Sequence, residues 1–533
     1  MERKNLLRIF LPAIIALSLV AGMFIGRYYY QGRQDQAYIV YPRADKLSGV
    51  VNYISKEYVD PIQKDEFVEK IIPLILDELD PHSQYIPASE FQAVNEPLEG
   101  NFSGIGVQFN MLNDTLVVLK AIANGPSEKV GIIAGDRIVM VDSNTVAGVK
   151  MPSDSIVKML KGPKGTVVRV GVDRHAVKDL VFFNITRDNI PLYSIDVSYM
   201  MTEETAYIRI NNFSRTTYEE FASAITRLKS AGMKKLVLDL RGNGGGLLTT
   251  AAMVADQFLN EGQLIVYTEG NARKREDFKA TSGGLCHGIE TAVLIDESSA
   301  SASEILAGAL QDNDRAVVIG RRSFGKGLVQ EQNMLNDGSA IRLTIARYYT
   351  PTGRSIQKSY ENGSEDYYNE LAVRYAHGEF MEKDSSMFHD SLKFVTPGGK
   401  VVFGGGGIMP DIFVPLDTIG VTDYLIDIRD RGLIYRYALE FTDANRSELL
   451  KSQNLTGLLA YLKKNNALGS FISFASKNGV PENKKELGIS KEIIETQLYA
   501  YIARNVFDNE GFYPVIEKID KTLQVAVEEL EKE

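Results

Sequence analysis

The chain contains the stretch Leu236-Val237-Leu238-Asp239-Leu240-Arg241-Gly242-Asn243-Gly244-Gly245-Gly246. It begins as an apolar strand and continues into a glycine-rich turn, and a helical pattern follows it. Several glycines at such a turn let the backbone present N–H groups to a ligand, as phosphate-binding loops do. The dinucleotide and Walker fingerprints do not fit, because no Gly-Lys-Ser/Thr is present and the glycine spacing differs. An oxyanion hole needs the same backbone geometry. Taken alone, the stretch fits an oxyanion loop and a tight turn with positive φ equally well.

The chain on either side of this turn alternates strands and helices. The predicted order is strand 205–210, helix 217–231, strand 235–240, helix 249–259, strand 264–268, strand 292–296, helix 302–310 and strand 316–320. This rhythm predicts an α/β sheet with helices packed on it, within a region that spans residues 191–420. Residues 355–400 are polar and are predicted to form a loop or lid insertion.

A serine-rich bend, Ser298-Ser299-Ala300-Ser301-Ala302-Ser303-Glu304, follows the predicted strand 292–296. A bend from strand to helix places one hydroxyl at the positive end of the helix. Ser301 and Glu304 also have the spacing of a capping box, which starts a helix without any catalytic role. Capping and catalysis do not exclude each other.

A lysine stands in the glycine turn Ser323-Phe324-Gly325-Lys326-Gly327-Leu328-Val329-Gln330, which follows the predicted strand 316–320. Such a lysine is either a solvated surface residue or a general base. A base requires desolvation, because a free lysine with a pKa near 10.4 is almost fully protonated at pH 7. Gln330 could orient the amine if the segment is a helical turn, since positions i and i+4 share a helix face.

The amino-terminal part, residues 31–95, is predicted to be helical, with helices over 45–57 and 64–80. Leu79-Asp80-Pro81-His82-Ser83 then breaks the helical pattern. His82 is a candidate ligand or proton shuttle, but a histidine in a proline-containing turn more often has a structural role.

Two further regions differ in pattern from the α/β segment. Residues 96–190 contain short β-like runs punctuated by glycine, with strands over 106–110, 115–122, 136–141 and 166–174 and a helix over 153–160. They predict a compact α+β module. Residues 421–533 are helical and charged, and the sequence leaves open whether they dimerise, bind an adaptor or cap the core.

Composition limits the class of protein. The 533 residues exceed what one core supports, and 44% apolar with 24% charged residues is typical of a globular chain. A net charge of −10 argues against a nucleic-acid partner. Cys286 is the only cysteine, which excludes an intramolecular disulfide and a cysteine-rich metal site.

The first 30 residues suggest a location. Basic residues precede an apolar run over residues 9–25, and Arg27 with three tyrosines follows it. This pattern predicts an uncleaved signal anchor, with the bulk of the chain outside the cytoplasm, in the periplasm. A cleaved signal, which would make the protein secreted, and a buried core helix remain alternatives.

Taken together, these segments resemble the carboxy-terminal processing peptidases, also called tail-specific proteases. The matching pieces, in the family's order, are Leu79–Ser83, the 96–190 module, Asp239–Gly246, Ser299–Glu304, Ser323–Gln330, Tyr349–Arg354 and Gly407–Asp411. The resemblance covers roughly residues 45–420. It implies a serine endopeptidase of envelope proteins with a ClpP/crotonase-like α/β core, an inserted PDZ domain, a membrane-anchor helix and a helical carboxy-terminal extension.

The resemblance also implies site residues. Ser301 is the nucleophile, Lys326 is the general base, and Gln330 orients the lysine. Ala302 and one glycine of the 244–246 turn, taken here as Gly245, donate to the oxyanion.

The sequence departs from the family pattern at two positions. Glu297-Ser298-Ser299 stands where the family often has Glu-Gly-Ser, and Gly244 stands where it often has proline. Both lie beside the catalytic atoms, and the second leaves the shape of the oxyanion turn open.

The module over residues 96–190 resembles a PDZ domain. Gly104-Ile105-Gly106-Val107 matches its carboxylate-binding loop, and the stretches 125–127 and 131–138 match its central turn. A peptide would add as a strand beside residues 107–109, with its terminal carboxylate on the loop amides. The implied partners are protein substrates with free carboxyl-terminal tails.

Other function classes fit less well. Neither a His-Glu-x-x-His motif nor another metal cluster occurs, so we expect no metal and no cofactor. Cys286 beside His287 is better explained by packing than by a cysteine peptidase. A serine–lysine acyltransferase would need Ser-x-x-Lys, whereas Glu304 stands three residues after Ser301. A non-cutting PDZ scaffold would have no need of a buried amine opposite a serine.

Overall fold

The structure is a computed structural model that describes residues 16–24, 46–174, 177–383 and 392–532. The chain forms two compact units. The first contains the described residues up to Val94 together with Gln330–Ile345. The second contains the described residues of Asn95–Val329 and Ala346–Glu533.

The first unit is largely helical. Its elements are α1 (16–24), α2 (Lys46–Glu57), α3 (Lys64–Asp77), β1 (Gln84–Ile86), the start of α4 (Phe91–Glu99), and parts of β17 (Leu328–Met334) and β18 (Ala340–Tyr349). Strand β1 pairs antiparallel with the beginning of β18, where Gln84 faces Arg342. Most of the predicted anchor lies outside the described residues. Within the described segments no helix is both long and apolar enough to cross a membrane.

A six-stranded sheet forms the centre of the second unit. Its spatial order is β10 (Ile195–Met200), β11 (Thr205–Ile210), β12 (Lys235–Asp239), β15 (Glu290–Ile295), β16 (Val317–Gly320) and β21 (Ile412–Phe413). Strand β10 is antiparallel to β11, and the remaining neighbours are parallel. The parallel part agrees with the predicted strand–helix alternation. It brings the carboxyl ends of β12, β15 and β16 to the same edge of the sheet.

Helices cover both faces of this sheet. The first face packs against α7 (Thr217–Ser230), α8 (Leu248–Asp256) and α9 (Ala302–Asp312). The second face packs against α17 (Lys521–Glu531), through Leu523, Ala526 and Leu530. Burial on both faces explains why the three central residues of β12 are apolar: Leu236 and Leu238 face one side, and Val237 faces the other.

The segment over 355–400, predicted as a loop or lid, contains regular structure where it is described. Helix α10 (Ser364–Ala376) and the hairpin β19 (Lys393–Val395) with β20 (Val401–Phe403) interrupt it. The buried side chains of Tyr367 and Arg374 attach α10 to the core. Before this segment, β13 (Leu264–Glu269) pairs with β14 (Glu276–Lys279) and with the end of β18.

The predicted α+β module has its own sheet and core. Its strands are β3 (Val107–Leu112), β4 (Thr115–Ala121), β5 (Arg137–Val141), β6 (Asn144–Thr145), β7 (Val167–Asp173) and β8 (Val181–Thr186). Helices α5 (Pro126–Val130) and α6 (Ser153–Leu160) accompany them. The chain enters and leaves through the paired strands β2 (Asn101–Gly104) and β9 (Asp188–Pro191).

The helices of the carboxy-terminal part, predicted as one helical domain over residues 421–533, bury their apolar residues in two cores. A separate apolar core joins α11 (Asp423–Asp430), α12 (Leu433–Leu449), α13 (Leu455–Lys464), α14 (Ala467–Lys477), α15 (Lys484–Phe507) and α16 (Asn509–Ile516). A short 3-10 helix, Glu517–Ile519, then leads to α17, which packs on the six-stranded sheet. The apolar face of α17 is buried on the sheet, whereas α11 to α16 share the separate core.

Candidate active site

The glycine turn and the serine bend are joined by Asn243. This side chain is fully buried, and its amide nitrogen donates to the Ile210 carbonyl at 2.9 Å. The Asn243 carbonyl accepts from the Ala300 amide at 3.0 Å and from the Ser303 hydroxyl at 2.9 Å. The two segments that the sequence singled out separately are thus held against each other at the end of the sheet.

Ser301 lies at the N-terminal cap of α9, immediately after the turn that follows β15. Its backbone has φ 55° and ψ −113°, a conformation that a residue with a Cβ rarely adopts. Such a residue stores of the order of 1–3 kcal/mol of strain, which the surrounding contacts must offset. The partly exposed hydroxyl therefore sits at the positive end of a helix, as the sequence predicted.

Lys326 lies in the turn between β16 and β17, and it is half-buried. Phe324 in this turn donates its amide to the Ser299 carbonyl at 3.0 Å, which attaches the lysine turn to the serine bend. Arg374 of α10 donates to the carbonyls of Arg322 and Ser323 at 2.8 and 3.2 Å. The helix in the predicted lid therefore fixes the start of the lysine turn.

Glu304 connects the two candidate residues Ser301 and Lys326 directly. Its Oε2 accepts from the Ser301 amide at 2.8 Å and from the Lys326 amide at 2.9 Å. Its Oε1 accepts from the Ser323 hydroxyl at 2.5 Å and from the Gly325 amide at 2.8 Å. Four donors surround one fully buried carboxylate, so both catalytic candidates are fixed to a single side chain.

The electrostatics of Glu304 reflect two opposing causes. Burial raises the pKa of its carboxyl group, and the four donated hydrogen bonds act to lower it, which leaves the pKa at about 7. The sequence identified Glu304 only as a capping residue. Its spacing from Ser301 was visible, but its contacts with the lysine turn depend on tertiary packing.

Asp239 fixes the beginning of the glycine turn. Burial acts to raise its pKa, but the guanidinium charges of Arg241 and Arg209 outweigh this and lower it to about 2. Arg241 also pairs with Asp520 at 2.7 Å, just before α17. The charge of this buried aspartate is therefore balanced, and its role is to hold the turn.

The two predicted oxyanion donors differ in their surroundings. Ala302 occupies the first position of α9, where an amide has no acceptor within the helix. Gly245 donates its amide to the Asn243 side chain at 2.8 Å, so this N–H is not directed at an oxyanion in this arrangement. A Cβ on Gly245 would lie 2.7 Å from the Ser301 Cβ, and its φ is +106°. Glycine is needed there for close approach, whereas the choice of Gly245 over its neighbours as donor stays a prediction.

Gln330 lies on β17, and the helical turn that would have placed it over Lys326 is not formed. Within the first unit its Nε2 donates to the His82 carbonyl at 2.7 Å. Asp80 shapes that turn, because its carboxylate accepts from the amides of His82 and Ser83 at 2.8 and 2.9 Å. This observation gives the Leu79–Ser83 motif a structural role that operates through the His82 backbone.

The candidate peptide site lies at the start of the α+β module. Gly104 ends β2, Val107 begins β3, and Gly106 between them has φ +73°. The Ile105 carbonyl accepts from the amide and the hydroxyl of Ser127 at 3.0 and 2.6 Å. The two predicted PDZ segments therefore meet. Strand β3 ends the order of its sheet within the described residues, and this position suits peptide addition.

Cys286 is fully buried in the core, and burial raises the pKa of its thiol to about 12. A thiol in this state is not a nucleophile, because the reactive species is the thiolate.

Comparison with known proteins gives the family. The sequence matches peptidase family S41 over residues 204–364 and a PDZ domain over residues 103–187. It is 37% identical over 324 residues to the carboxy-terminal-processing protease of Bartonella bacilliformis, covering 60% of this chain and 73% of that protein. The chain belongs to the carboxy-terminal processing proteases. It is a serine-type peptidase with a PDZ domain.

Three further proteases are similar to this chain. The chain is 34% identical over 315 residues to a probable CtpA-like serine protease of Staphylococcus epidermidis, covering 58% of this chain and 62% of that protein. It is 33% identical over 318 residues to the carboxy-terminal processing protease CtpB of Bacillus subtilis, covering 59% of this chain and 65% of that protein. A solved photosystem II D1 C-terminal processing protease has 29% identity, covers 57% of this chain and 82% of that chain, and has a TM-score of 0.34.

Residues 424–508 of this protease match a family of unknown function, DUF8443. They coincide with most of the separate helical core. This core contacts the PDZ domain, where Arg137 pairs with Asp443 at 2.5 Å.

Proposed function

We propose that this protease cleaves other proteins near their carboxyl termini, with Ser301 as nucleophile and Lys326 as general base. The observation that carries the proposal is the shared acceptor: the Ser301 and Lys326 amides donate to one oxygen of Glu304. A serine at a strained helix cap beside a half-buried lysine is an arrangement that suits nucleophilic catalysis.

The proposed reaction has two stages. Neutral Lys326 accepts the Ser301 proton as the hydroxyl oxygen attacks the scissile carbonyl, and the protonated lysine then gives a proton to the leaving amine. The Ala302 amide and an amide of the 244–246 turn stabilise the oxyanion. Water, deprotonated by Lys326, hydrolyses the acyl-enzyme and releases Ser301. Gln330 is proposed to orient the lysine, as the resemblance to the family implies.

The test is cleavage of an unstructured reporter that ends in a free apolar tail, using the full chain. We expect Ser301→Ala and Lys326→Ala each to reduce cleavage by at least about 10³-fold. The matched controls are Ser298→Ala, an exposed serine of the same bend, and Lys274→Ala, an exposed lysine. Cleavage by Lys326→Ala at the wild-type rate would exclude the proposed base.

The PDZ domain is proposed to select free carboxyl-terminal tails through Gly104, Ile105, Gly106 and Val107. Support comes from the position of β3 at the end of its sheet and from the positive φ of Gly106. A reporter with an amidated tail should be cut more slowly than its free-acid twin. Equal rates for the two reporters would count against carboxylate recognition.

We also propose that the apolar run over residues 9–25 anchors the protease to a membrane, with envelope proteins as substrates and the core, of ClpP/crotonase-like type, outside the cytoplasm. Support comes from the basic residues before the run and the tyrosines after it. Fractionation of cells that express the full chain, or a chain without residues 1–30, tests this. Recovery of both in the same fraction would contradict it.

A further inference from the structure

Tyr348, near the end of β18, contacts both catalytic residues of the proposed dyad. Its side chain is almost completely buried, and its hydroxyl oxygen lies 2.5 Å from the Lys326 carbonyl and 3.0 Å from the Ser301 carbonyl. The Tyr348 amide donates to the Gly327 carbonyl at 3.0 Å, so its backbone is attached to the lysine turn as well. One side chain therefore connects the two turns at their carbonyls, as Glu304 connects them at their amides.

The hydroxyl acts as a donor to these carbonyls. Both partners are acceptors without a proton, and burial together with the nearby Glu304 charge raises the pKa of Tyr348 well above its usual value. The phenol consequently stays protonated wherever a peptidase operates. Its single proton is shared between two acceptors, with the shorter distance to Lys326.

The Ser301 carbonyl belongs to the same peptide unit as the Ala302 amide. A peptide unit is planar and its C=O and N–H point in opposite directions, so fixing one fixes the other. Ile305 already donates to the Ser301 carbonyl from within α9 at 3.0 Å, and Tyr348 adds a second donor from outside the helix. Two donors on this carbonyl leave the peptide plane little freedom to rotate.

We propose that Tyr348 is a positioning residue for the oxyanion hole: its hydroxyl holds the Ser301 carbonyl and thereby aims the Ala302 amide at the oxyanion. The proposal rests on the proposed function, in which Ala302 is an oxyanion donor. It assigns Tyr348 an effect on the transition state. The oxyanion forms only as Ser301 attacks the scissile carbonyl, so the effect is expected on kcat and not on KM.

The experiment compares the full-length wild type with Tyr348→Phe, using the tailed reporter and a peptide boronate. A boronate forms a tetrahedral adduct with the serine and places an oxygen in the oxyanion hole. We expect kcat to fall about 30-fold, KM to change by less than twofold, and boronate affinity to fall by a factor similar to that of kcat. The control is Tyr349→Phe, because Tyr349 is the next residue of the strand and stacks on Tyr267 instead.

Two replacements of similar size separate positioning from packing. Tyr348→4-aminophenylalanine keeps a donor at the position and should recover most of the activity. Tyr348→4-methylphenylalanine fills the space without a donor and should resemble Tyr348→Phe. If Tyr348→Phe does not fold, comparison of these two variants still shows whether the donated hydrogen bond or the packing of the ring matters.

Wild-type kcat in Tyr348→Phe, or equal activity of the amino and methyl variants, would overturn the proposal. A loss of kcat without a matching loss of boronate affinity would overturn it too. Failure of the proposed function looks different, because wild type and Ser301→Ala would then cleave the reporter equally and bind the boronate equally.

Discussion

Ser301 and Lys326 donate their backbone amides to the same carboxylate oxygen of Glu304, at 2.8 and 2.9 Å. The relative position of the proposed nucleophile and the proposed base is therefore set by main-chain contacts with a third residue. These contacts use the backbones of the two residues and not their side chains. This arrangement makes Glu304 the most informative residue to change.

Glu304→Gln should reduce kcat/KM by about 100-fold. The carboxamide presents an NH₂ group to two of the four donors, and each buried donor left without an acceptor costs about 1–3 kcal/mol, with 1.4 kcal/mol equivalent to a factor of ten. Steady-state cleavage of the reporter measures this. Glu297→Gln, which loses only the partly exposed pair with Arg321, is the control and should keep wild-type activity. Activity of Glu304→Gln within threefold of wild type would show that the shared acceptor is dispensable.

Glu304 should also make the stability of the core depend on pH. Its pKa is about 7 in the folded protein and about 4.5 in the unfolded chain. Folding therefore favours the protonated form: the stabilisation is complete below pH 4.5 and is lost as the pH rises to 7. The contribution amounts to roughly 3 kcal/mol, from 1.36 kcal/mol per pKa unit.

Denaturant unfolding of the core at pH 5 and pH 8 checks this expectation. The free energy of unfolding of the wild type should fall on going to pH 8, and that of Glu304→Gln should fall less. Parallel pH dependences in the two proteins would contradict the assignment.

Asp80→Ala should reduce kcat by about tenfold or more, whereas His82→Ala should stay within threefold of wild type. Asp80 holds the turn whose His82 carbonyl accepts from Gln330, so its loss weakens that contact. His82→Ala retains that carbonyl. If Gln330 orients the lysine, the pH profile of kcat/KM should shift in Asp80→Ala alone. A larger loss in His82→Ala would instead indicate a role for the imidazole.

Ser301→Gly should be more stable than Ser301→Ala by about 1 kcal/mol. Glycine adopts φ 55° and ψ −113° without the Cβ strain that alanine retains, and this gain exceeds the entropy that glycine adds to the unfolded chain. Both variants lack the hydroxyl, so loss of the nucleophile cancels in the comparison. Thermal melting of the two inactive proteins measures the difference, and a lower melting temperature for Ser301→Gly would show that the cap is unstrained.

Local signals located most elements and singled out the candidate site residues. The apolar run Leu236–Leu238, the glycines after it and the spacing of Ser301 and Glu304 each carry a periodicity or a turn preference within a few residues. The helix predicted over 302–310 runs over Ala302–Asp312, and the strand predicted over 205–210 is Thr205–Ile210. Such features depend on the chain's immediate neighbours, so they are visible without a structure.

Tertiary packing decided what those residues contact. Glu304 accepts from both turns, Gln330 lies on a strand, α10 occupies the predicted lid, and α17 packs on the peptidase sheet. None of these features follows from the periodicity of the sequence. Each depends on which group, distant along the chain, donates to an acceptor or packs on an apolar face. The sequence identified the reactive residue types and their turns, and the fold determined their partners, since hydrogen bonds and burial act through space.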